Sequence, residues 1–329
     1  MYKRYKMTRI LAIGDPHFKV GNKKETDEMY LETEKMISTI PFDMIVVLGD
    51  VLDTHERIHL AVHKRACDFL LMLSEYSNVY VLVGNHDRMN NQDFMSDIHP
   101  FTGLEKDNLH IVYQTQKVFT EGKWIFFVPY VPPGMFNKAL EYLDFEEDKT
   151  HVIFAHQEFM GAKMGAIESH IGDIWPEEYP TVISGHIHDY QILGNVIYAG
   201  TPFQHGFSDS IDKKLMIVTI TTENIRIKRK KLNVTRKKSL KLTLEEFENF
   251  TPLENCITKV YIQGDSETIR QYLKANKERL EKYDLKVCIR DTSHSECDPE
   301  EKRISFEEYL KSKLGDELYL RFEEIMSTK

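Results

Sequence analysis

No apolar run in this 329-residue chain approaches the ~20 residues needed to cross a bilayer, so a helical membrane span is excluded. No cleavable apolar segment follows the basic stretch Met1 to Lys6, where a strand-like run begins at once; Met7 offers an alternative start. Cysteine is scarce. Cys67, Cys256, Cys288 and Cys297 are scattered and form no CxxC pair, which is the pattern of free thiols in a reducing compartment. The expectation is a cytoplasmic protein with no membrane association. Positive charge is not in excess either. The formal net charge is -9, which argues against coating nucleic acid through bulk charge but leaves room for a local basic groove. Internal repeats and low-complexity tracts are lacking. Apolar residues make up 41% of the chain, enough for a substantial core, and the length suits one large domain with a small one, or two.

Residues 8 to 235 read as alternating strands and helices, which implies a layered α/β core. Helical apolar spacing covers Lys24 to Ser38 and Glu56 to Glu75. From Leu109 onward short strands dominate, and this second half is expected to be mostly antiparallel. Arg226 to Lys241 holds nine Lys or Arg and no acid. It is either a solvated face or a contact for a phosphate backbone. Residues 256 to 290 read as a separate βαβ piece, with a helix from Ser266 to Glu281 and Ser266 as its N-cap. A polar linker, Ser293 to Glu301, leads to an amphipathic pair of short helices between Ile304 and Met326. These either pack on their own domain or dock a partner.

The chemistry lies in six short stretches: Asp15-Pro16-His17, Gly49-Asp50, Gly84-Asn85-His86-Asp87, Ala155-His156, Gly185-His186-Ile187-His188, and Tyr198-Ala199-Gly200-Thr201-Pro202. Each of the first five directly follows an apolar run. A strand ending in a carboxylate, amide or imidazole places a metal-binding group at the rim of a sheet. Together they supply two Asp, one Asn and four His as ligands, with one further His for proton transfer. Two divalent cations about 3.5–4 Å apart would neutralise a phosphodiester's oxygens and supply hydroxide at neutral pH. Cations so close need a bridging anion, and Asp50 is the choice. Asp15 and His17, if extended, lie on one side of the chain and could share a metal. His186 and His188 repeat that spacing, with Ile187 turned into the core. Asn85 gives a neutral oxygen to the second metal, and His156 completes it. His86 is better used as a proton donor or as a cation against transition-state charge. Asp87 either orients His86 or caps the next turn. The mixed N/O set tolerates Mn, Fe, Zn or Mg, and four imidazoles argue against Mg alone.

The remaining histidines carry weaker expectations. His55, His59 and His63 are four apart and would line one face of a helix, with His55 nearest the metal loop and in reach of substrate. His170 and His205 lie in Gly-containing loops within reach of the site. His151, at a strand start, reads as unrelated.

With these motifs assembled, the chain resembles the calcineurin-like metallophosphoesterases, whose signature order is D-x-H, GD, GNHD, H, GHxH. Within that family it is similar to the DNA-repair nuclease branch of the bacterial SbcD exonuclease and the phage recombination nuclease subunit. Gly49-Asp50-Val51-Leu52-Asp53 resembles that branch's GDxxD form, and Tyr198 to Pro202 its Y-x-G-[ST]-P stretch. The resemblance implies an α/β fold: a four-layer α-β-β-α sandwich of two mixed sheets over residues 1–235. A small α+β capping, DNA-binding domain over 236–295 and a helical segment over 296–329 would follow. It implies two Mn2+ ions, one on Asp15, His17, Asp50 and His188, the other on Asp50, Asn85, His156 and His186, with His86 as catalytic histidine. The implied partners are DNA, a coiled-coil ATPase of the SbcC type and a second copy of the chain. The rival expectation is a metallophosphoesterase acting on nucleotides, small phosphodiesters or phosphoproteins.

Overall fold

The structure, a computed structural model, describes residues 7–55 and 57–291. The first half of the chain forms β1 (Thr8–Ile13), α1 (Lys23–Ile37), β2 (Met44–Val47), α2 (Leu60–Ser74), β3 (Asn78–Leu82), β4 (Leu109–Val112), β5 (Gln116–Thr120), β6 (Lys123–Val128), α3 (Phe136–Glu141) and β7 (Thr150–Ala155). A small hairpin of β8 (Lys163–Met164) and β9 (Ile167–Glu168) follows. Then come β10 (Thr181–Ser184), β11 (Gln191–Leu193), β12 (Val196–Tyr198), β13 (Leu215–Ile220) and β14 (Ile225–Lys230). The remaining elements are β15 (Arg236–Thr243), α4 (Leu244–Glu248), β16 (Cys256–Gly264), α5 (Ser266–Ala275), α6 (Lys277–Leu280) and β17 (Leu285–Asp291).

Two six-stranded mixed sheets carry the fold, in the orders β14-β13-β1-β2-β3-β4 and β11-β12-β10-β7-β6-β5. β1 to β4 are parallel neighbours, and so are β6, β7, β10 and β12. From β5 onward the two senses mix: β5–β6, β8–β9, β11–β12, β13–β14 and β1–β13 are antiparallel, so the antiparallel expectation holds toward the edges and misses the parallel centre of the second sheet, β6–β7–β10–β12. The physical reason is visible in the burial. Ile125–Val128, Val152–Ala155 and Val182–Ser184 are covered on both faces, as parallel strands are, whereas an antiparallel strand with one wet face alternates.

Strand alternation builds three apolar layers. Leu11, Ile13, Ile45, Val47, Val79 and Val81 face Met29, Met36, Phe69 and Leu70 of α1 and α2. Ile10, Ala12, Val46 and Leu82 meet Phe127, Val152, Phe154 and Ile183 between the sheets. Phe126, Val128, Ile153 and Val182 pack with Phe136 and Trp175 on the outer face of the second sheet. Between the sheets Tyr80 stacks on Phe127, with centroids 4.1 Å apart. The result is the expected sandwich, with few helices.

Two helix starts differ from the sequence reading. α2 begins at Leu60, so His59 is its N-cap and His55 precedes it; the stripe of three histidines on one helix does not form. Ahead of the helix the Thr54 hydroxyl donates to Arg57 O. The N-cap of α5 is Asp265, not Ser266, because its carboxylate accepts from Thr268 N at 2.8 Å. That helix also ends at Asn276, whose side chain donates back to Tyr272 O, and a separate short turn follows.

The chain divides into two compact units. The first takes Met1–Leu240, Thr251–Lys259 and Tyr283–Lys286; the second takes Lys241–Phe250, Val260–Lys282 and the chain from Val287. β15, β16 and β17 make a three-stranded sheet in that order. The expected linker and helical pair past Ser293 lie outside the described residues. Phe154 is fully buried where the two sheets meet. Phe154→Ala should lower the unfolding free energy by about 3–5 kcal/mol, read from urea denaturation at constant m-value.

Candidate metal centre

All five ligand-bearing loops leave the carboxyl ends of parallel strands: Asp15 and His17 after β1, Asp50 after β2, Asn85 and His86 after β3, His156 after β7, His186 and His188 after β10. Open α/β sheets present their ligand sites at this end. The loops are bound to one another by backbone. His17 N donates to Asp50 O at 3.0 Å, Phe18 N to Val51 O at 2.7 Å, and Gly185 N to Ala155 O at 3.0 Å. Close approach requires glycine. A Cβ on Gly49 would strike the His156 imidazole, one on Gly84 the Asp50 carboxylate, and one on Gly185 the Asp15 carboxylate. Gly49 also has φ 101°.

Two groups of donors result. Asp15, His17 and His188 form one, Asp50, His156 and His186 the other; within each, the donor atoms lie within 4.8 Å of one another. The Asp50 oxygens face opposite ways, Oδ2 3.6 Å from His17 Nε2 and Oδ1 3.4 Å from His156 Nε2. Asn85 Oδ1 lies 2.9 Å from both His156 Nε2 and His186 Nδ1. His17 Nε2 and His188 Nε2 are 3.0 Å apart. Ile187 is buried, as the alternation implied, but the histidines on either side of it go to different groups, which the shared spacing did not indicate and the family resemblance did. The extended geometry expected for Asp15-x-His17 is not found. His17 has φ 44°, and the left-handed turn brings its ring back to Asp15's side; Asp50 (φ 48°) and His186 (φ 75°) are strained in the same way.

These residues fit divalent cations on the structure's own terms. Both oxygens of the fully buried Asp15 carboxylate have no hydrogen-bond partner, and neither has His17 Nδ1. Buried acceptors without donors are costly unless a cation serves them. Burial pushes the Asp15 carboxyl up, against the pull of His156. Burial acts on Asp50 in the same direction, but the charges of His156, His17 and His86 outweigh it and hold its carboxyl well below the ordinary range. Burial pulls His156 down, yet Asp50 and then Asp15 overcome it and push the imidazole up to about 9. His17 is driven well below its ordinary value, chiefly by burial.

His86 lies beside both groups. Its backbone N–H donates to Asp50 Oδ1 at 2.8 Å, its ring is 5.0 Å from that of His17, and its Nδ1 lies 3.3 Å from Asp53 O. His55 stacks on it, centroids 4.4 Å apart. Asp87 does not reach the His86 ring. Its carboxylate accepts from Val51 N, Leu52 N and Gly84 N, which makes it the clasp between the Asp50 and Asn85 loops. Neither role expected for Asp87 is found: it neither orients His86 nor caps the turn that follows it, but binds amides that precede it, in the Asp50 loop and at Gly84.

Several neighbours escaped the sequence reading. Asp53 Oδ1 lies 3.4 Å from His17 Nδ1 and 3.1 Å from Lys19 Nζ. Glu158 Oε2 is 3.6 Å from His186 Nε2, and that imidazole holds the Glu158 carboxyl below its usual value. Tyr130 places its ring 6.3 Å from His156 and 6.1 Å from His186. It follows parallel strand β6, so the strand-end rule pointed to it, but a tyrosine gave no ligand signal. His205, weakly expected, is close in: Nε2 lies 3.0 Å from Asp15 O and its ring 5.1 Å from His17. Burial drives it down to about 3, so it stays neutral. His170 is exposed on its loop, and His151 Nε2 meets Glu121 O away from the centre.

A cation needs the bare Nε2 of His156, and below about pH 9 a proton holds that position in the metal-free chain. Mn2+ affinity should therefore rise with pH between 6 and 8, with net proton release at pH 7. Calorimetric titrations in two buffers of different ionisation enthalpy measure that release, and identical heats would mean that no proton is displaced.

Comparison with known proteins agrees with this geometry. Residues 8–190 match the family model of the calcineurin-like phosphoesterases. The "Putative phosphoesterase 244L" of Invertebrate iridescent virus 6 is 37% identical over 275 residues, 81% of this chain and 97% of that protein. The "Putative phosphoesterase 078R" of Invertebrate iridescent virus 3 is 37% identical over 242 residues, 70% of each. A solved structure, "GAP50 the anchor in the inner membrane complex of Plasmodium", aligns over 68% of this chain and 84% of its own, at 12% identity and a TM-score of 0.42. The family match covers the strand-end ligands of both sheets up to His188, and this chain belongs to the calcineurin-like phosphoesterases.

Proposed function

We propose that this metal-dependent phosphoesterase is a phosphodiesterase whose substrate is DNA, a nuclease of the SbcD type. The observation that carries the reading is the Asp50 carboxylate set between two donor groups, one oxygen toward each. Asp15, His17, Asp50 and His188 would hold one divalent ion and Asp50, Asn85, His156 and His186 the other. Two such ions supply charge neutralisation for a phosphate and an ionised water at neutral pH. His86, one ring away, donates a proton to the departing oxygen. Burial lowers its proton affinity in the free chain, and the negative charge of a bound phosphodiester raises it again.

Three further features support DNA as the substrate. The Asp50–Asp53 and Tyr198–Pro202 stretches have the form of the nuclease branch. β14 exposes Arg226, Lys228 and Lys230 on one face, a place for phosphates. The β16–α5–β17 piece follows the phosphoesterase region in the sequence, as the capping domain does in that branch, and the chain past Ser293, amphipathic in sequence, would dock a coiled-coil ATPase. Not all of the basic run serves this purpose. Arg229 is paired with Asp212 and lies over Tyr190, and Lys237 is buried against Glu25. The net charge of -9 favours a second reading, in which the substrate is a nucleotide or another small phosphodiester.

Labelled duplex and single-stranded DNA, incubated with Mn2+ with and without chelator, separate the two. The nuclease reading expects cutting that the chelator abolishes and that weakens as salt rises. Hydrolysis of a chromogenic diester with DNA left intact would select the second reading. His86→Ser should leave Mn2+ binding in place while lowering kcat at least about 100-fold; unchanged turnover would remove His86 from proton transfer.

A further inference from the structure

Beyond His86 the surface opens into a depression of about 460 Å3, whose walls include His55, Ile58, Met89, Ile98, His99 and Pro100. A second, shallower one of about 600 Å3, lined by Arg57, Asn90 and Asn91 among others, shares His55 and Met89 with it. Two properties of the first are unusual for a solvated surface. Its walls bring together Ile58, Met89 and Ile98, which are 42%, 52% and 55% exposed. Neighbouring exposed apolar side chains in a concavity mark a binding site more often than a bare surface. It is also continuous with the metal centre. The His55 ring stacks on His86 with an interplanar angle of 25°, and His86 is in turn 5.0 Å from His17. One imidazole, that of His86, separates His55 at the pocket from His17 in the first donor group.

The chemistry of the walls narrows the occupant. Asp87 and Arg88 also line the pocket, but both are buried and engaged: the Asp87 carboxylate accepts from Val51 N, Leu52 N and Gly84 N, and the Arg88 Nη atoms donate to the carbonyls of Tyr130 and Asp93. The His99 Nδ1 accepts from Phe101 N. What remains is a thioether, two branched aliphatic chains, a proline and the imidazoles of His55 and His99, a lining that suits a flat ring rather than a phosphate or a sugar. In the adjoining depression the Asn90 amide is engaged with Asp93 and Gln92, which leaves Thr54, Arg57 and Asn91 as polar groups for a sugar, beside the Asp53 carboxylate.

We propose that the pocket formed by His55, Ile58, Met89 and Ile98 binds a nucleobase on the leaving side of the scissile phosphodiester. The inference rests on the phosphodiester reading above, because it places the base one ring beyond the group that protonates the leaving oxygen. It applies equally to a nucleotide and to a DNA strand, since the base is common to both.

The test measures binding of two phosphate monoesters to the full Mn2+-loaded chain by calorimetry: adenosine 5′-monophosphate and ribose 5-phosphate, which lacks the base. Stacking of one base against such a surface corresponds to about a tenfold gain in affinity. The wild-type chain should bind the nucleotide about tenfold more tightly. The double substitution Met89→Ala, Ile98→Ser, at two half-exposed positions outside the core, should bring the nucleotide's Kd to that of ribose 5-phosphate. Met89→Leu alone, which keeps the apolar wall, should retain the preference. Equal affinities in the wild-type chain, or a preference that survives the double substitution, overturn the proposal. Turnover of bis(p-nitrophenyl) phosphate by the wild-type chain, read in parallel, reports separately on phosphodiester hydrolysis. Base-independent binding with that turnover intact removes the pocket and leaves the reaction.

Discussion

The Asp50 carboxylate, held between imidazoles on both sides, is the interaction on which the rest of the centre depends. One oxygen faces His17 and the other faces His156, so a single side chain from β2 joins donors contributed by the two sheets. Its charge raises the proton affinity of His156 and opposes ionisation of Asp87. Its position is fixed from below. The φ of 48° at Asp50 turns the side chain up, the Asp87 carboxylate holds the two N–H groups that follow, and His86 N donates to the acid itself. A left-handed aspartate stays in place only when its surroundings over-determine it.

The two sheets make this possible through parallel pairing. β1, β2 and β3 in one sheet and β7 and β10 in the other each deliver a loop at the same end, and the apolar layer between the sheets sets the distance across which those loops meet. The strands are buried on both faces, so none can slip register without placing a polar face in the core. Placement of the donors is therefore a property of the core as much as of the loops.

Much of this was legible in the sequence because the signal is local. An apolar run followed by a small residue and then Asp, Asn or His states its own strand and its own ligand, and five repetitions reinforce one another. Parallel direction was not legible, since it depends on which strand lies beside which, and short apolar runs look alike in either sense. Nor was the backbone at His17: a D-x-H spacing suggests an extended chain, whereas the residue adopts a conformation that only its tertiary contacts enforce. Asp87 illustrates a third limit. A carboxylate beside a candidate catalytic histidine invites an acid–histidine pairing, but the nearest unsatisfied donors were amides of a loop 36 residues earlier, which no sequence spacing reveals. His205 and Glu158 reach the centre from loops without strand or helix periodicity, and so carried little signal.

The glycines that let the loops converge also divide the surface into two kinds of territory. At Gly49, Gly84 and Gly185 even a methyl group would collide with a donor, so these positions admit no other residue without moving the centre. The rim has no such restriction. Ile58, Met89 and Ile98 around the pocket, and Ile167, Ile171 and Ile174 around the β8–β9 hairpin, are open to solvent and can be exchanged without disturbing a ligand. Substitutions on the rim can therefore accumulate without moving a donor atom, whereas a single added methyl at the centre displaces one.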